Sequence, residues 1–147
     1  MNEITPGSAI MILLVEDDPG DVLMTREALA ESKLLNDLQV VADGRAAIDH
    51  LTAVADNGTQ KPDLILLDLN LPKVDGREVL AFIKGDARLR RIPVVILTTS
   101  SAEEDIARSY DLHANAYVTK PVDFEQFMSV VRKVDDFFLT VVRRSQM

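Results

Sequence analysis

The polar residues best suited to chemistry follow closely after short apolar runs. Carboxylates follow one such run, a carboxylate and an amide follow another, a threonine ends a third, and a lysine follows a fourth. In chain order these residues are Glu16, Asp17, Asp18, Asp68, Asn70, Thr98 and Lys120. Acids packed within a few ångströms of one another repel strongly, so a cation must lie between them.

These residue types favour magnesium and a phosphoryl group. Carboxylate oxygens at a water-accessible edge suit Mg²⁺, which binds through one or two carboxylates plus a phosphate and keeps several waters. The chain has no cysteine and only two histidines, both away from these positions, so zinc and copper are disfavoured. With the Lys120 ammonium and the Thr98 hydroxyl nearby, Asp68 has the surroundings of a carboxylate nucleophile that carries a phosphoryl group.

Each residue alone also has an ordinary structural explanation. Asp18 before Pro19 is typical of a helix N-cap followed by the first helical residue. A single aspartate or threonine after a strand is usually a turn residue, and Lys-Pro is a common pair in loops. The joint placement of such residues at four strand ends is therefore what favours a shared site.

Apolar runs alternate along the chain with segments of helical spacing. We predict strands at 10–15, 38–42, 64–68, 93–98 and 116–119. We predict helices over 20–32 and 44–55, and three more that begin at the capping pairs Asp75–Glu78, Ser101–Glu104 and Asp123–Gln126. This alternation indicates an α/β fold, in which a parallel sheet carries helices on both faces. Ligands of such sheets bind outside the carboxyl ends of the strands, where the polar residues would meet.

Composition and charge argue against several classes of function. The length of 147 residues suits one domain with a single core. The net charge of −8 argues against binding to nucleic acid or to an anionic membrane surface. The apolar run 9–15 stops at Glu16, so it predicts neither a signal peptide nor a membrane span. The lack of cysteine fits a reducing compartment, and we expect a cytoplasmic protein.

Four segments together resemble the receiver domain of two-component response regulators. They are VEDD at 15–18, LLDLNLPKVDG at 66–76, VVILTTS at 94–100 and AYVTKP at 116–121. The resemblance spans roughly residues 10–135, which is most of the chain. It implies a flavodoxin-like, doubly wound sheet of five parallel strands in the order 2-1-3-4-5, with five helices.

The resemblance also implies a role for each acidic residue. Asp68 would be the phosphoacceptor. Asp17 would bind Mg²⁺ directly and Glu16 would bind it through water, while Asn70 would offer its backbone carbonyl. Glu16 stands where many members of the family have aspartate, which affects only the fine geometry of the metal site.

A conformational switch is implied on the other side of the site. Thr98 and Lys120 would contact the phosphoryl oxygens, and Tyr117 would swing inward when Thr98 moves. The peptide bond between Lys120 and Pro121 is typically cis in this family.

The implied partner is a sensor histidine kinase, and the protein would catalyse only its own phosphorylation and dephosphorylation. The segments LLDLNLPKVDGREVLAFIK at 66–84 and RIPVVILTTSSAEEDI at 91–106 are similar to small single-domain regulators paired with bacterial phytochrome kinases. A phytochrome kinase is therefore the expected phosphoryl donor.

Three alternatives remain at this point. An aspartate-nucleophile phosphatase of the haloacid dehalogenase class would carry a second aspartate where this chain has Asn70. A degenerate, phosphate-independent receiver would have lost some of Asp17, Asp68, Thr98 or Lys120, and this chain keeps them all. A phosphorelay intermediate would pass the phosphoryl group on to a histidine phosphotransfer domain, and the residues do not separate it from a terminal regulator.

The C-terminal segment suggests a homodimer. We expect a tail over 1–9, a receiver domain over 10–147 with an extended last helix, and no output domain. Apolar residues continue past the expected end of the core, which usually marks a partner site. The predicted dimer contacts are Phe137, Phe138, Val141 and Val142. A last helix folded back on its own domain is the alternative.

Overall fold

Five strands alternate with four helices in the part of the chain that the structure describes. The computed structural model describes residues 10–31, 36–58, 61–109, 114, 116–123, 125–126 and 129. The strands are β1 (Ile10–Val15), β2 (Asn36–Val41), β3 (Leu64–Asp68), β4 (Val94–Thr98) and β5 (Ala116–Thr119). The helices are α1 (Pro19–Glu31), α2 (Gly44–Asn57), α3 (Gly76–Gly85) and α4 (Ser101–Ser109).

Some predictions fall on residues outside these ranges. The predicted tail over 1–9 is one of them, and nearly all of the predicted fifth helix is another. The predicted dimer contacts also lie outside the described residues; they are Phe137, Phe138, Val141 and Val142.

The strands form one parallel sheet in the order β2-β1-β3-β4-β5. This confirms the predicted flavodoxin-like, doubly wound arrangement. β3 lies in the middle, and every residue of β3 and β4 is buried because helices cover both faces of the sheet. Among the described residues, no helix combines the length and the apolar content that crossing a bilayer requires.

Alternate residues of each strand pack into two separate core layers. On one face, Leu14 and Leu66 pack in the same cluster as Leu29 of α1. On the other face, the layer contains apolar residues of β1, β3 and β4 together with residues of α2 and α3. The central strands are packed on both faces by these two layers. The backbone at their carboxyl ends is therefore held in a fixed position.

The observed start of β2 differs from the predicted one. The prediction was 38–42, whereas the strand runs over Asn36–Val41. Its first two residues are polar and pair in register with β1, Asn36 opposite Ile10. Main-chain pairing therefore begins before the apolar run does, and an apolar pattern cannot show this.

The predicted helix caps are partly correct. Asp123 and Gln126 form reciprocal bonds, in which the backbone N–H of each donates to the side chain of the other at 3.2 and 2.8 Å. Asp75 caps α3, but its carboxylate accepts from the backbone N–H of Arg77 rather than from Glu78. The predicted cap at Ser101 is wrong by one residue, because Ser100 Oγ accepts the backbone N–H of Glu103 at 3.1 Å.

The loop that follows β3 turns back so tightly that it requires glycine at position 76. A Cβ atom at Gly76 would lie 2.4 Å from the backbone oxygen of Asp68, far inside van der Waals contact. The start of α3 therefore packs directly against the end of β3.

We expect Gly76→Ala to lower the free energy of unfolding by about 3 kcal/mol, because the new methyl group displaces backbone next to Asp68. Gly85→Ala is the matched control, since a Cβ there meets nothing within 4 Å. At that last position of α3, alanine should raise stability by up to about 1 kcal/mol. Urea denaturation measures both changes, and equal stabilities for the two variants would contradict the tight-packing argument.

Candidate functional site

Three carboxylates from two strand ends converge at the carboxyl edge of the sheet. Glu16 and Asp17 follow β1, and Asp68 ends β3. One oxygen from each lies within 4.8 Å of the others, which is the spacing of a divalent-cation site. Glu16 and Asp68 are buried, whereas Asp17 is exposed and leaves the cluster open to solvent.

The ammonium group of Lys120, the residue that follows the edge strand β5, lies among these carboxylates. Lys120 Nζ lies 3.0 Å from Glu16 Oε1, 2.9 Å from Asp21 Oδ2 and 3.2 Å from Asp68 Oδ2. The lysine backbone N–H donates to the Thr98 carbonyl at 2.7 Å, which fixes the end of β5 beside β4. The peptide bond between Lys120 and Pro121 is cis, as the resemblance implied.

Burial and neighbouring charges set the protonation of this cluster. Burial raises the pKa of Glu16 from 4.5 to about 7, with Asp68 adding to the rise and the hydrogen bond from Lys120 opposing it. Burial alone would lower the pKa of Lys120, but its hydrogen bonds to Asp21 and Glu16 outweigh this and raise the pKa. Lys120 is therefore charged at neutral pH, while Glu16 holds a proton for part of the time.

The Asp68 carboxylate is held at both of its oxygens. Oδ1 accepts the backbone N–H of Asn70 at 3.0 Å, and Oδ2 faces the Lys120 ammonium. The sheet continues one residue further, because the Leu69 N–H donates to the Leu97 carbonyl at 3.1 Å. The carboxylate thus projects from a fixed backbone and is almost entirely buried.

Thr98 and Tyr117 lie on the same face of the sheet. Thr98 is opposite Thr119 in the ladder, and Tyr117 precedes Thr119 by two residues. The Thr98 hydroxyl is buried, 3.4 Å from the carbonyl oxygens of Ser100 and Val118. The half-buried Tyr117 packs against the core layer that contains α2 and α3.

Glu103 is a residue of this region that the sequence analysis did not single out. One carboxylate oxygen accepts the Thr99 backbone N–H at 2.8 Å, and the other accepts the Asn70 side-chain amide. Burial alone would raise the pKa of Glu103. The hydrogen bonds from Asn70 and Thr99 outweigh this effect, so the pKa of Glu103 lies below its usual range. Its carboxylate joins the loops after β3 and β4.

Asp21 is the second residue of this site that was not predicted. Asp21 lies in the first turn of α1, where acids are common, so no sequence signal distinguished it. Asp18, for which a helix cap and a place in the site were both considered, is a helix cap. Asp18 Oδ1 accepts the Gly20 N–H at 3.1 Å, which is the geometry of a helix cap. It is not part of the acidic cluster.

The fold and the site agree with the family that the sequence matches. A sequence model of the response regulator receiver domain matches residues 12–132, and the chain belongs to that family. Receiver domains are phosphorylated by sensor histidine kinases. The chain is a signalling protein of this class.

The relatives point more narrowly to phytochrome response regulators. Response regulator Rcp1 from Synechocystis sp. is 45% identical over 133 residues, which cover 90% of each chain. The Mn²⁺-bound crystal structure of Rcp1 has a TM-score of 0.68 at 46% identity and covers 88% of this chain and 94% of that one.

Two further solved structures are similar. The bacteriophytochrome response regulator AtBRR has a TM-score of 0.79 at 45% identity, covering 87% of this chain and 94% of its own. The phosphorylated cyanobacterial phytochrome response regulator RcpA has a TM-score of 0.70 at 47% identity, covering 90% and 95%. The protein is therefore a receiver-domain response regulator related to the phytochrome response regulators.

We expect the stability of the protein in a metal chelator to fall as pH rises from about 4.5 to about 7. In that window the folded state binds more protons than the unfolded state, because folding raises the pKa of Glu16 from 4.5 to about 7. The stability that Glu16 contributes is therefore fully present below its pKa in the unfolded state. It is lost as the pH rises through its pKa in the folded state. The Glu16 contribution should be about 1–3 kcal/mol.

Urea denaturation at several pH values measures this dependence. Glu16→Gln should remove the corresponding part of the slope, because the amide does not titrate in this range. The exposed Glu78 provides a control, since Glu78→Gln should leave the slope unchanged. The same slope in wild type and Glu16→Gln would contradict the assignment.

Proposed function

We propose that this protein accepts a phosphoryl group on Asp68 from a sensor histidine kinase. The observation that carries this proposal is the placement of the Asp68 carboxylate. It is buried at a strand end, its Oδ2 lies 3.2 Å from the Lys120 ammonium, and it shares a cluster with Glu16 and Asp17. An anchored carboxylate beside fixed positive charge has the features of an acyl phosphate acceptor.

The acidic cluster fits a magnesium ion. Its oxygens are hard ligands within 4.8 Å of one another, and one of the carboxylates is open to solvent. Glu16, Asp17, Asp68 and the backbone carbonyl of Asn70 would hold the ion. The relative Rcp1 has a Mn²⁺-bound form, which supports a divalent ion as a ligand of this chain as well. When bound, Mg²⁺ supplies neutralising charge to the phosphoryl oxygens.

The residues of the chain perform the transfer by positioning and charge. The Asp68 carboxylate attacks phosphorus, and the bond from phosphorus to the donor nitrogen of the kinase histidine breaks. The Lys120 ammonium, already 3.2 Å from Asp68, stays close enough to neutralise the transferred group. The protein then catalyses only its own phosphorylation and dephosphorylation.

Thr98 and Tyr117 form the proposed conformational switch. In this structure the Thr98 hydroxyl lies near backbone carbonyls. In the phosphorylated state it turns toward the phosphoryl group, and Tyr117 moves into the space that it leaves. Both states exist before phosphorylation, and the new contacts shift their populations.

The names of two similar structures, which are phytochrome response regulators, support a phytochrome kinase as the donor. The lack of cysteine supports a cytoplasmic setting for the exchange. The phosphatase alternative has no support, since the chain belongs to the receiver family and has Asn70 in place of the second aspartate. A role as phosphorelay intermediate remains a second candidate. Transfer of the label from phosphorylated protein to a histidine phosphotransfer domain would establish it.

Incubation with acetyl phosphate and Mg²⁺ should add one phosphoryl group per chain, detected by intact mass. Asp68→Asn should abolish the addition, and so should chelation of the metal, because both remove parts of the acceptor site. Asp37→Asn, at an exposed position of β2, should leave the addition unchanged. Phosphorylation of Asp68→Asn at the wild-type rate would rule out the proposed acceptor.

We further propose that the protein forms a homodimer through its C-terminal segment. The basis is sequence alone, since five large apolar residues fall within six positions at 137–142. Phe138→Asp should convert a dimer at tens of micromolar into a monomer, measured by light scattering, and should leave phosphorylation of Asp68 intact. A dimer that survives truncation after Lys133 would contradict this arrangement.

A further inference from the structure

Glu103 bridges the two loops that flank the proposed phosphorylation site. It lies in the first turn of α4, and its Oε1 accepts the Thr99 backbone N–H at 2.8 Å. Its Oε2 accepts the side-chain amide of Asn70, which is 33 positions away in the sequence. Asn70 lies two residues after Asp68, which ends β3, and Thr99 directly follows Thr98, which ends β4.

Capping of α4 explains only part of this arrangement. Ser100 already caps the helix, because its Oγ accepts the Glu103 N–H at 3.1 Å. In an ordinary capping box the glutamate would return to the N–H of the cap residue itself. Here the carboxylate passes beyond the cap to Thr99, and its second oxygen leaves the helix to bind the loop after β3.

The two N–H donors belong to the loops that follow β3 and β4, and the first of these strands ends in Asp68. The backbone N–H of Asn70 donates to Asp68 Oδ1 at 3.0 Å, so the Asn70 side chain begins beside the acceptor. Thr99 continues the strand that lies next to β3, and Leu97 of that strand is paired with Asp68. A phosphoryl group would bring up to two negative charges and three acceptor oxygens to this place. Nearby N–H donors would stabilise it.

We propose that Glu103 is a positioning residue that restrains the unphosphorylated site by occupying the N–H donors of Asn70 and Thr99. A phosphoryl group on Asp68 must displace this carboxylate before it can use those donors, and α4 is then released from the loop after β3. The inference rests on the proposed function, since it takes Asp68 as the phosphoacceptor.

Beryllium fluoride in the presence of Mg²⁺, an analogue of the phosphoryl group, provides the test. Glu103→Gln removes the negative charge but keeps an oxygen that can accept the Thr99 N–H, so the start of α4 is preserved. For Glu103→Gln, the half-saturating concentration of beryllium fluoride, followed by amide NMR, should fall about three- to tenfold relative to wild type. A neutral amide holds the donors of Asn70 and Thr99 less strongly than a carboxylate does, so the analogue displaces it more easily. Asp105→Asn makes the same change in net charge at an exposed position of α4 and should bind like wild type.

The direction of the effect separates restraint from a purely structural role. If Glu103 only supported the fold of α4, Glu103→Gln would bind the analogue more weakly, and that result would overturn the proposal. Equal affinity in wild type, Glu103→Gln and Asp105→Asn would also overturn it, while leaving Asp68 as the acceptor. A wild-type protein that neither binds beryllium fluoride nor takes up a phosphoryl group at Asp68 would overturn the proposed function and this inference together.

Discussion

The site depends on one ammonium group held among three carboxylates. Lys120 Nζ lies between 2.9 and 3.2 Å from oxygens of Glu16, Asp21 and Asp68. Without it, Glu16 and Asp68 would be two buried, adjacent charges of the same sign, which is strongly unfavourable. Because Lys120 follows β5 at the edge of the sheet, these contacts also hold the edge strand to the central strands. One side chain thus serves the electrostatics of the site and the closure of the fold.

The ammonium does not balance the site completely, and the remaining negative charge explains its chemistry. Four carboxylates, counting the exposed Asp17, surround a single lysine. Burial and the neighbouring Asp68 raise the pKa of Glu16, which favours its neutral form and so relieves part of the excess. A divalent cation would relieve the same excess more fully, and a proton and a metal ion would then compete for one place. The proposed magnesium site and the unusual protonation therefore have a common cause.

Sequence patterns predicted the strands that carry the site, but not every residue that completes it. Apolar runs that end in acids, such as the one before Asp68, report both burial and the point where the strand leaves the core, so the convergence of strand ends could be predicted. Asp21 and Glu103 could not be separated from ordinary residues, because acids in the first turn of a helix are favoured by the helix dipole alone. Their partners, Lys120 and Asn70, are distant in sequence and known only from the folded chain.

The contact between Lys120 and Glu16 joins residues 104 positions apart, so it spans nearly the whole described sheet. A nascent chain that has emerged only as far as β4 contains Glu16, Asp21 and Asp68 without the lysine that neutralises them. Such an intermediate has the acidic residues but lacks the ammonium group that balances part of their charge. If Asp68 is the proposed phosphoacceptor, its site is therefore completed only when β5 docks, and a chain that lacks β5 should not accept a phosphoryl group.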